Sequence, residues 1–206
     1  MALFLEEALA NYPSVASVAP SSRHLARAMA EPLRHMKAGV VVELGAGTGV
    51  ITRALLDLLP EDATLIAFEI NRKFYRYLRR NFNDPRLLLV NACAETLGRQ
   101  LAQLGLKRVD AMVSSLSFSL MTEKQRHAIL SSLLACLDSK SLFLQYHYLP
   151  VRIVNALPQR RRNGRLNVPR LLHQHFGSVE SRIVWRNLPP AVVYACERKH
   201  TRARLD

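Results

Sequence analysis

The sequence predicts an α/β fold built on a doubly wound, mostly parallel sheet of seven strands, and three observations predict it. Strand-like and helix-like apolar patterns alternate through most of the chain. The β-branched run Val40-Val-Val42 leads straight into a turn carrying Gly45, Gly47 and Gly49, and an apolar helical pattern of Val50, Ile51, Ala54, Leu55 and Leu58 follows it. Such alternation implies parallel strands joined by helical crossovers, and the right-handedness of those crossovers places helices on both faces. Ligands of such sheets sit outside the carboxyl ends of the strands. Residues at those ends are therefore the candidates for chemistry.

Taken in order, Leu3, Phe4, Leu5, Ala8, Leu9 and Tyr12 form one apolar face of a short helix that stops before Pro13 and is expected to pack on the domain. Pro20-Ser21-Ser22 reads as a helix start with a serine cap, followed by a buried face of Leu25, Met29 and Leu33 that Pro32 ends or kinks. After the glycine turn, strands are expected over Ala63 to Glu69, Arg86 to Asn91, Val109 to Ser115 and Ser141 to Tyr148. The runs Val179 to Arg186 and Ala191 to Glu197, joined by Asn187-Leu-Pro-Pro190, read as a hairpin. Between the fifth strand and the last helix, residues 150–170 hold Arg152, Arg160, Arg161, Arg162, Arg165 and Arg170 without an acid, and read as an exposed basic insertion. A second basic set, Arg72, Lys73, Arg76, Arg79 and Arg80, reads as the solvated side of a helix whose other face is Phe74, Tyr77 and Leu78.

A chain of 206 residues is about one domain long, so residues 1–206 are expected to form a single domain, with N-terminal helices in 1–38. With 49% hydrophobic residues and a mean hydropathy of zero, the composition is that of an ordinary globular protein. The longest apolar stretch, Ala128 to Leu149, is interrupted by Asp138 and Lys140, and Met1 to Ala10 has no basic start and carries Glu6 and Glu7. Neither a membrane span nor a secretory signal is expected, which predicts a cytoplasmic protein. Cys93, Cys136 and Cys196 have no metal-like spacing, so reduced thiols and no metal are expected. The net charge of +13 favours polyanionic partners, either nucleic acid or an anionic membrane surface. No feature of the sequence specifies an oligomeric state.

The glycine turn carries the chemistry. Counting from Gly45, a dinucleotide fingerprint would need a sixth-position glycine where Val50 stands, and no Gly-Lys-Ser/Thr follows for a phosphate loop. What the chain has is Glu43-x-Gly45-x-Gly47-x-Gly49, with a second acid, Glu69, ending the next apolar run, where it can take both hydroxyls of a ribose. This pair of features resembles the S-adenosylmethionine (SAM) site of class I methyltransferases, which share a Rossmann-like fold. The resemblance implies cofactor contacts from Glu43, Gly45, Ala46, Gly47, Gly49, Glu69, Ile70, Ala92, Cys93 and Ser114, with S-adenosylhomocysteine as the product.

Asn187-Leu-Pro-Pro190 looks like the loop that holds an exocyclic base amine in adenine methylases. In the adenine dimethylase arrangement that loop follows the fourth strand, where this chain has Ser114-Ser-Leu-Ser-Phe118, and its fourth residue here is Pro190 rather than an aromatic that could stack on a base. The late motif therefore reads as a proline-stiffened turn. Together, Val18-Ala-Pro-Ser-Ser-Arg-His-Leu-Ala-Arg-Ala-Met29, the glycine turn, Val113-Ser-Ser-Leu116, Gln145-Tyr-His-Tyr148 and Val184-Trp-Arg-Asn-Leu-Pro-Pro-Ala-Val-Val-Tyr194 resemble the bacterial phospholipid N-methyltransferases, relatives of the adenine dimethylases. The resemblance implies an antiparallel final strand, SAM as cofactor and a substrate amine of the phosphatidylethanolamine kind at a membrane surface. It also places Ser21 and Ser22 near the cofactor. Two positions depart from the family: Cys93 stands where an Asp usually accepts the adenine amino group, with Glu95 close in sequence, and Ser114-Ser-Leu-Ser117 replaces Ser-Gly-Leu-Pro.

A primary amine with a pKa near ~10 is mostly protonated at neutral pH, and only its neutral form attacks a methyl group. An acceptor such as the Tyr148 hydroxyl or the Ser114 carbonyl, with the loop through Leu116, is the expected catalytic set. Strand alternation puts Tyr146 and Tyr148 on one face, suited to an amine that gains positive charge, and His147 on the other, where it reads as structural. Ser21, Ser22, Tyr146, Tyr148 and Arg152 complete the expected substrate contacts. The leading expectation is a SAM-dependent N-methyltransferase acting on a phospholipid headgroup, peripheral on the inner membrane face. The alternatives are an RNA methyltransferase using the same arginines on phosphates, and a SAM- or RNA-binding module without catalysis.

Overall fold

The Val40-Val-Val42 run forms an interior strand because its apolar, β-branched residues are shielded on both faces, as parallel strands in a doubly wound sheet require. The computed structural model describes residues 22–106, 108–149 and 166–198. Its strands are β1 (Val40–Leu44), β2 (Thr64–Phe68), β3 (Leu87–Val90), β4 (Ala111–Ser114), β5 (Leu142–Tyr148), β6 (Ser178–Val184) and β7 (Ala191–Glu197). They form one sheet in the order β3-β2-β1-β4-β5-β7-β6. Neighbouring strands from β3 through β5 are parallel, whereas β7 runs antiparallel to both β5 and β6. The mostly parallel seven-stranded sheet, the antiparallel last strand and the terminal hairpin expected from the sequence are all present.

Among the described residues the α-helices are α1 (Arg23–Ala30), α2 (Val50–Leu56), α3 (Arg72–Asn81), α4 (Leu97–Gln103), α5 (Glu123–Cys136) and α6 (Val168–His175). Ser22 caps α1, its hydroxyl accepting from the Leu25 amide at 3.2 Å, and the helix tightens into a 3-10 turn at Glu31–Leu33 around Pro32. Strand alternation divides the core into two layers. Val42, Leu44 and Phe143 face α5 and α6, where Phe143 stacks on Phe176 with ring centroids 5.2 Å apart. Val41, Val113 and Leu144 face the other way, under Leu25, Met29 and Leu33 at α1 and Ile51 and Leu55 of α2. The basic side of α3 is solvent-exposed as its charge pattern predicts, and Leu78 is its buried residue. Tyr77 differs from expectation: it is 37% exposed, because at helical spacing it is turned away from the face that Leu78 presents to the glycine turn.

The N-terminal helix expected over residues 3–12, Ser21, Arg152 and most of the basic insertion lie outside the described residues.

Candidate active site

The turn after β1 uses three left-handed glycines, Gly45 at φ 80°, Gly47 at φ 56° and Gly49 at φ 80°. The Gly45 and Ala46 amides both donate to the Phe68 carbonyl, at 2.9 and 3.1 Å, tying the turn to the end of β2. A side chain at Gly49 would strike the Phe82 ring and lie 2.8 Å from Leu78 Cδ2, so here glycine serves the packing of α3. At Gly47 nothing lies within 4 Å of the space a Cβ would take. The turn is thus closed against α3 on one side and open on the other.

Two acids frame it. Alternation along β1 puts Glu43 on the same face as Val41, in the core layer beneath α2, and it is fully buried. The Thr52 hydroxyl of α2 donates to Glu43 Oε2 at 2.6 Å, while Oε1 is buried and accepts no hydrogen bond among the described residues. Burial, and then the charge of Glu69, push the Glu43 carboxyl up to about 7 against the opposing hydrogen bond from Thr52. Glu69, 6% exposed, follows β2 and accepts from the Gly47 amide at 2.7 Å through Oε2 and the Asn71 amide at 2.8 Å through Oε1. Burial raises its pKa and these backbone hydrogen bonds oppose the rise. The Ile70 backbone also favours the ionised carboxylate, whose remaining acceptor capacity is what a hydroxyl would meet. Ile70 beside it is 67% exposed, and the Asn91 side chain donates to the Glu69 carbonyl at 2.6 Å and the Ile70 carbonyl at 3.2 Å, fixing that corner. Ala92 and Cys93 are half-buried after β3, and the Cys93 carbonyl accepts from the Thr96 hydroxyl at 2.8 Å. Glu95 is exposed. The open cradle at Gly47, the orphaned Glu43 oxygen and the acid latched to the turn make a donor and acceptor set that fits a cationic nucleoside cofactor.

After β4, Ser114 is fully buried and its hydroxyl accepts from the Leu116 amide at 3.3 Å. That hydroxyl closes the loop locally. The Gln145 side-chain amide, also buried, donates to the Leu116 carbonyl at 3.0 Å and the Tyr146 carbonyl at 2.8 Å. Leu116 reaches over Gly45, where a Cβ would sit 3.3 Å from its Cδ2. Leu116 also lines a small, solvent-open cleft together with Phe118, Gln145, Tyr146, His147 and Tyr148. The Tyr146 and Tyr148 rings meet edge to face at 5.5 Å, and His147 stacks on Tyr194 at 5.2 Å on the opposite face. The structure therefore brings Leu116, Tyr146 and Tyr148 to one cleft, and of these Leu116 reaches the glycine turn. Ser22 lies by the β6–β7 hairpin, its amide donating to Asn187 Oδ1 at 2.9 Å.

The roles of three supporting residues escape a reading of the sequence: Thr52 holds Glu43, Gln145 holds the Leu116 carbonyl, and Asn187 joins the hairpin to α1. Thr52 and Asn187 sit in segments with ordinary local explanations, a helix and a turn. Gln145 carried one usable signal, a polar residue on the inward side of an otherwise apolar strand.

Among the described residues no group of three or more His, Cys, Asp or Glu side chains could hold a metal ion, and no helix is long and apolar enough to cross a membrane. A sequence profile described as a methyltransferase domain matches residues 41–140. Over 195 residues, 94% of each chain, the protein is 30% identical to the ornithine lipid N-methyltransferase of Singulisphaera acidiphila. The chain belongs to the class I SAM-dependent methyltransferases.

The methyltransferase also shares its fold with solved relatives. It superposes on the O-methyltransferase TomG from Streptomyces achromogenes, solved in complex with SAM, with a TM-score of 0.68 at 15% identity over 95% of this chain and 87% of that one. Against the Burkholderia thailandensis 1,6-didemethyltoxoflavin-N1-methyltransferase, solved with S-adenosylhomocysteine, the TM-score is 0.58 at 17% identity over 84% and 77% of the two chains. At such identities the likeness is one of fold.

Proposed function

We propose that this methyltransferase transfers a methyl group from SAM to the primary amine of a membrane lipid headgroup, in a single domain that combines cofactor and acceptor binding. The observation that carries the lipid reading is the match to an ornithine lipid N-methyltransferase along nearly the whole chain. The site's chemistry supports it. The loop after β4 contains neither the Asn nor the Pro of a base-clamping loop, so nothing there is built to hold an exocyclic base amine.

Bound SAM supplies an activated methyl on a positively charged sulfur. In this reading Glu69, with Ile70, Ala92 and Cys93, holds the ribose and adenine side, while Glu43 and the turn through Gly45, Ala46, Gly47 and Gly49 hold the amino-acid side. Ser114 supports the cradle through its loop. Leu116 divides the cradle from the cleft, so the acceptor amine approaches past its carbonyl. Tyr146 and Tyr148 face the amine with their rings, which favours the positive charge it gains. The Tyr148 hydroxyl and the Leu116 carbonyl take hydrogen bonds from the attacking nitrogen and orient its lone pair; positioning of this kind accounts for much of the rate enhancement. Ornithine lipids and phosphatidylethanolamine both present such an amine.

The test is incubation with methyl-labelled SAM, vesicles containing either lipid, and total RNA, followed by separation of organic and aqueous phases. Label is expected in the organic phase, and Tyr148→Phe is expected to lower it roughly tenfold or more without weakening SAM binding. Label confined to RNA would sink the proposal.

A further inference from the structure

The hairpin between β6 and β7 carries a feature that cofactor binding and methyl transfer leave unused. Because β6 runs parallel to β5, its tip, Trp185 to Pro190, lies at the carboxyl end of the sheet, the end where Ser114 and Tyr148 stand. Tyr148 pairs with Ala191, the first residue beyond the tip. Trp185 is 69% exposed and Leu188 85%, the highest values among the large hydrophobic residues described. Ile183, two residues before Trp185 and hence on the same face of the strand, is 42% exposed.

The tip is held firmly. Asn187, 3% exposed, accepts from the Ser22 amide at 2.9 Å and donates to the Pro189 carbonyl at 2.6 Å, and the Leu149 amide donates to the Pro190 carbonyl at 2.7 Å. A polar side chain is thus spent inside the turn while the apolar ones project outward. Sequestering Asn187 and exposing Leu188 inverts the usual preference of a surface turn. Charge points the same way: Arg182 and Arg186 are exposed on the hairpin, and no acid occurs from Ser181 to Tyr194.

We propose that the Trp185–Leu188 tip docks the enzyme on an anionic lipid bilayer, with Trp185 and Leu188 entering the headgroup layer and Arg186 meeting lipid phosphates. This deepens the lipid-headgroup reading and rests on it. Tryptophan favours the membrane–water interface, aliphatic side chains add apolar burial, and flanking arginines are attracted to anionic lipid. An RNA would find phosphate contacts in the arginines but nothing to gain from Leu188 and Ile183. Docking at the tip turns the carboxyl ends of the strands toward the bilayer and presents the Tyr146 and Tyr148 cleft to the headgroups.

Trp185 is the single tryptophan of the chain, so intrinsic fluorescence reports on the tip alone. With phosphatidylcholine vesicles containing phosphatidylglycerol, the emission is expected to shift to the blue and to become shielded from acrylamide. Leu188→Ala is expected to weaken the vesicle-induced shift severalfold. The Trp185→Ala/Leu188→Ala protein is expected to sediment with the vesicles roughly tenfold less well while binding SAM normally. Sedimentation of the native protein with vesicles without a spectral shift would overturn the proposal. So would a shift produced by RNA and not by vesicles, or one that follows protein concentration alone and marks a second copy. The readout needs no methyl transfer: a shift without label in the lipid phase removes the acceptor reading and leaves the docking surface, and label without a shift does the reverse.

Discussion

The side-chain amide of Gln145 on β5 donates to the backbone carbonyl of Leu116 at 3.0 Å, across 29 residues of sequence. That bond braces the loop between the glycine turn and the cleft. The loop residue after Leu116 is Ser117, which does not fix the backbone as a proline would, and the buried amide from the neighbouring strand supplies a restraint. Gln145→Leu keeps the bulk and removes the donor. It is expected to lower methyl transfer by tenfold or more at unchanged SAM affinity, at a stability cost of about 1–3 kcal/mol. Single-turnover rates beside calorimetric SAM titrations check this; a parallel loss of SAM affinity would show that Gln145 braces the cofactor cradle instead.

Glu43 predicts a pH dependence. Its carboxyl rises from an ordinary 4.5 to about 7 in the folded protein, chiefly through burial. The folded state therefore binds this proton more tightly than the unfolded chain. Its contribution to stability is complete below about pH 4.5 and is lost as the pH rises through about 7. The loss is on the order of 3 kcal/mol. Glu43→Gln is expected to gain stability relative to the native protein across that window, read from urea midpoints at a series of pH values. SAM affinity should move oppositely, rising with pH in the native protein because the cationic cofactor favours ionised Glu43, and staying flat in the variant. Parallel stability profiles would refute the assignment.

Two of the turn glycines are predicted to divide by role. Gly49→Ala places a Cβ against Phe82 and Leu78 in left-handed backbone, and is expected to cost about 3 kcal/mol or more of stability. Gly47→Ala meets no atom within 4 Å and is expected to cost about 1 kcal/mol for its backbone alone, yet to weaken SAM at least roughly tenfold by filling the cradle. Thermal unfolding with and without SAM separates the two.

Cys93→Asp introduces the acceptor that the family resemblance implies beside adenine. A charge-assisted hydrogen bond contributes about 1.5–3 kcal/mol, so affinity for SAM and for S-adenosylhomocysteine is expected to rise by roughly the same factor, tenfold or more. Calorimetric titration with both ligands measures it. An unchanged affinity would locate the adenine away from the end of β3.

Much of this arrangement was legible before any coordinates. The expected strands match the observed ones to within two residues at each end, because the interior strands are mostly apolar runs flanked by polar and glycine residues that mark where they stop, and the edge strand β6 is tied in register to β7 by the hairpin. Alternation correctly put Tyr146 and Tyr148 together and His147 opposite them, since side-chain direction along a strand is a local property. Tyr77 resisted the same logic on α3, where one helical face meets too little of the domain to bury every apolar residue.

The sequence by itself determined the elements, their order, the glycine turn and its two acids, because each depends on neighbours within a few positions along the chain. The tertiary structure alone decided that Thr52 holds Glu43, that Gln145 holds Leu116, and that Ser22 meets Asn187 from 165 residues away. A hydrogen bond between distant segments leaves no periodicity in either of them. Its donor and acceptor become partners only when the sheet brings their strands and helices side by side and burial removes the water that would otherwise satisfy both.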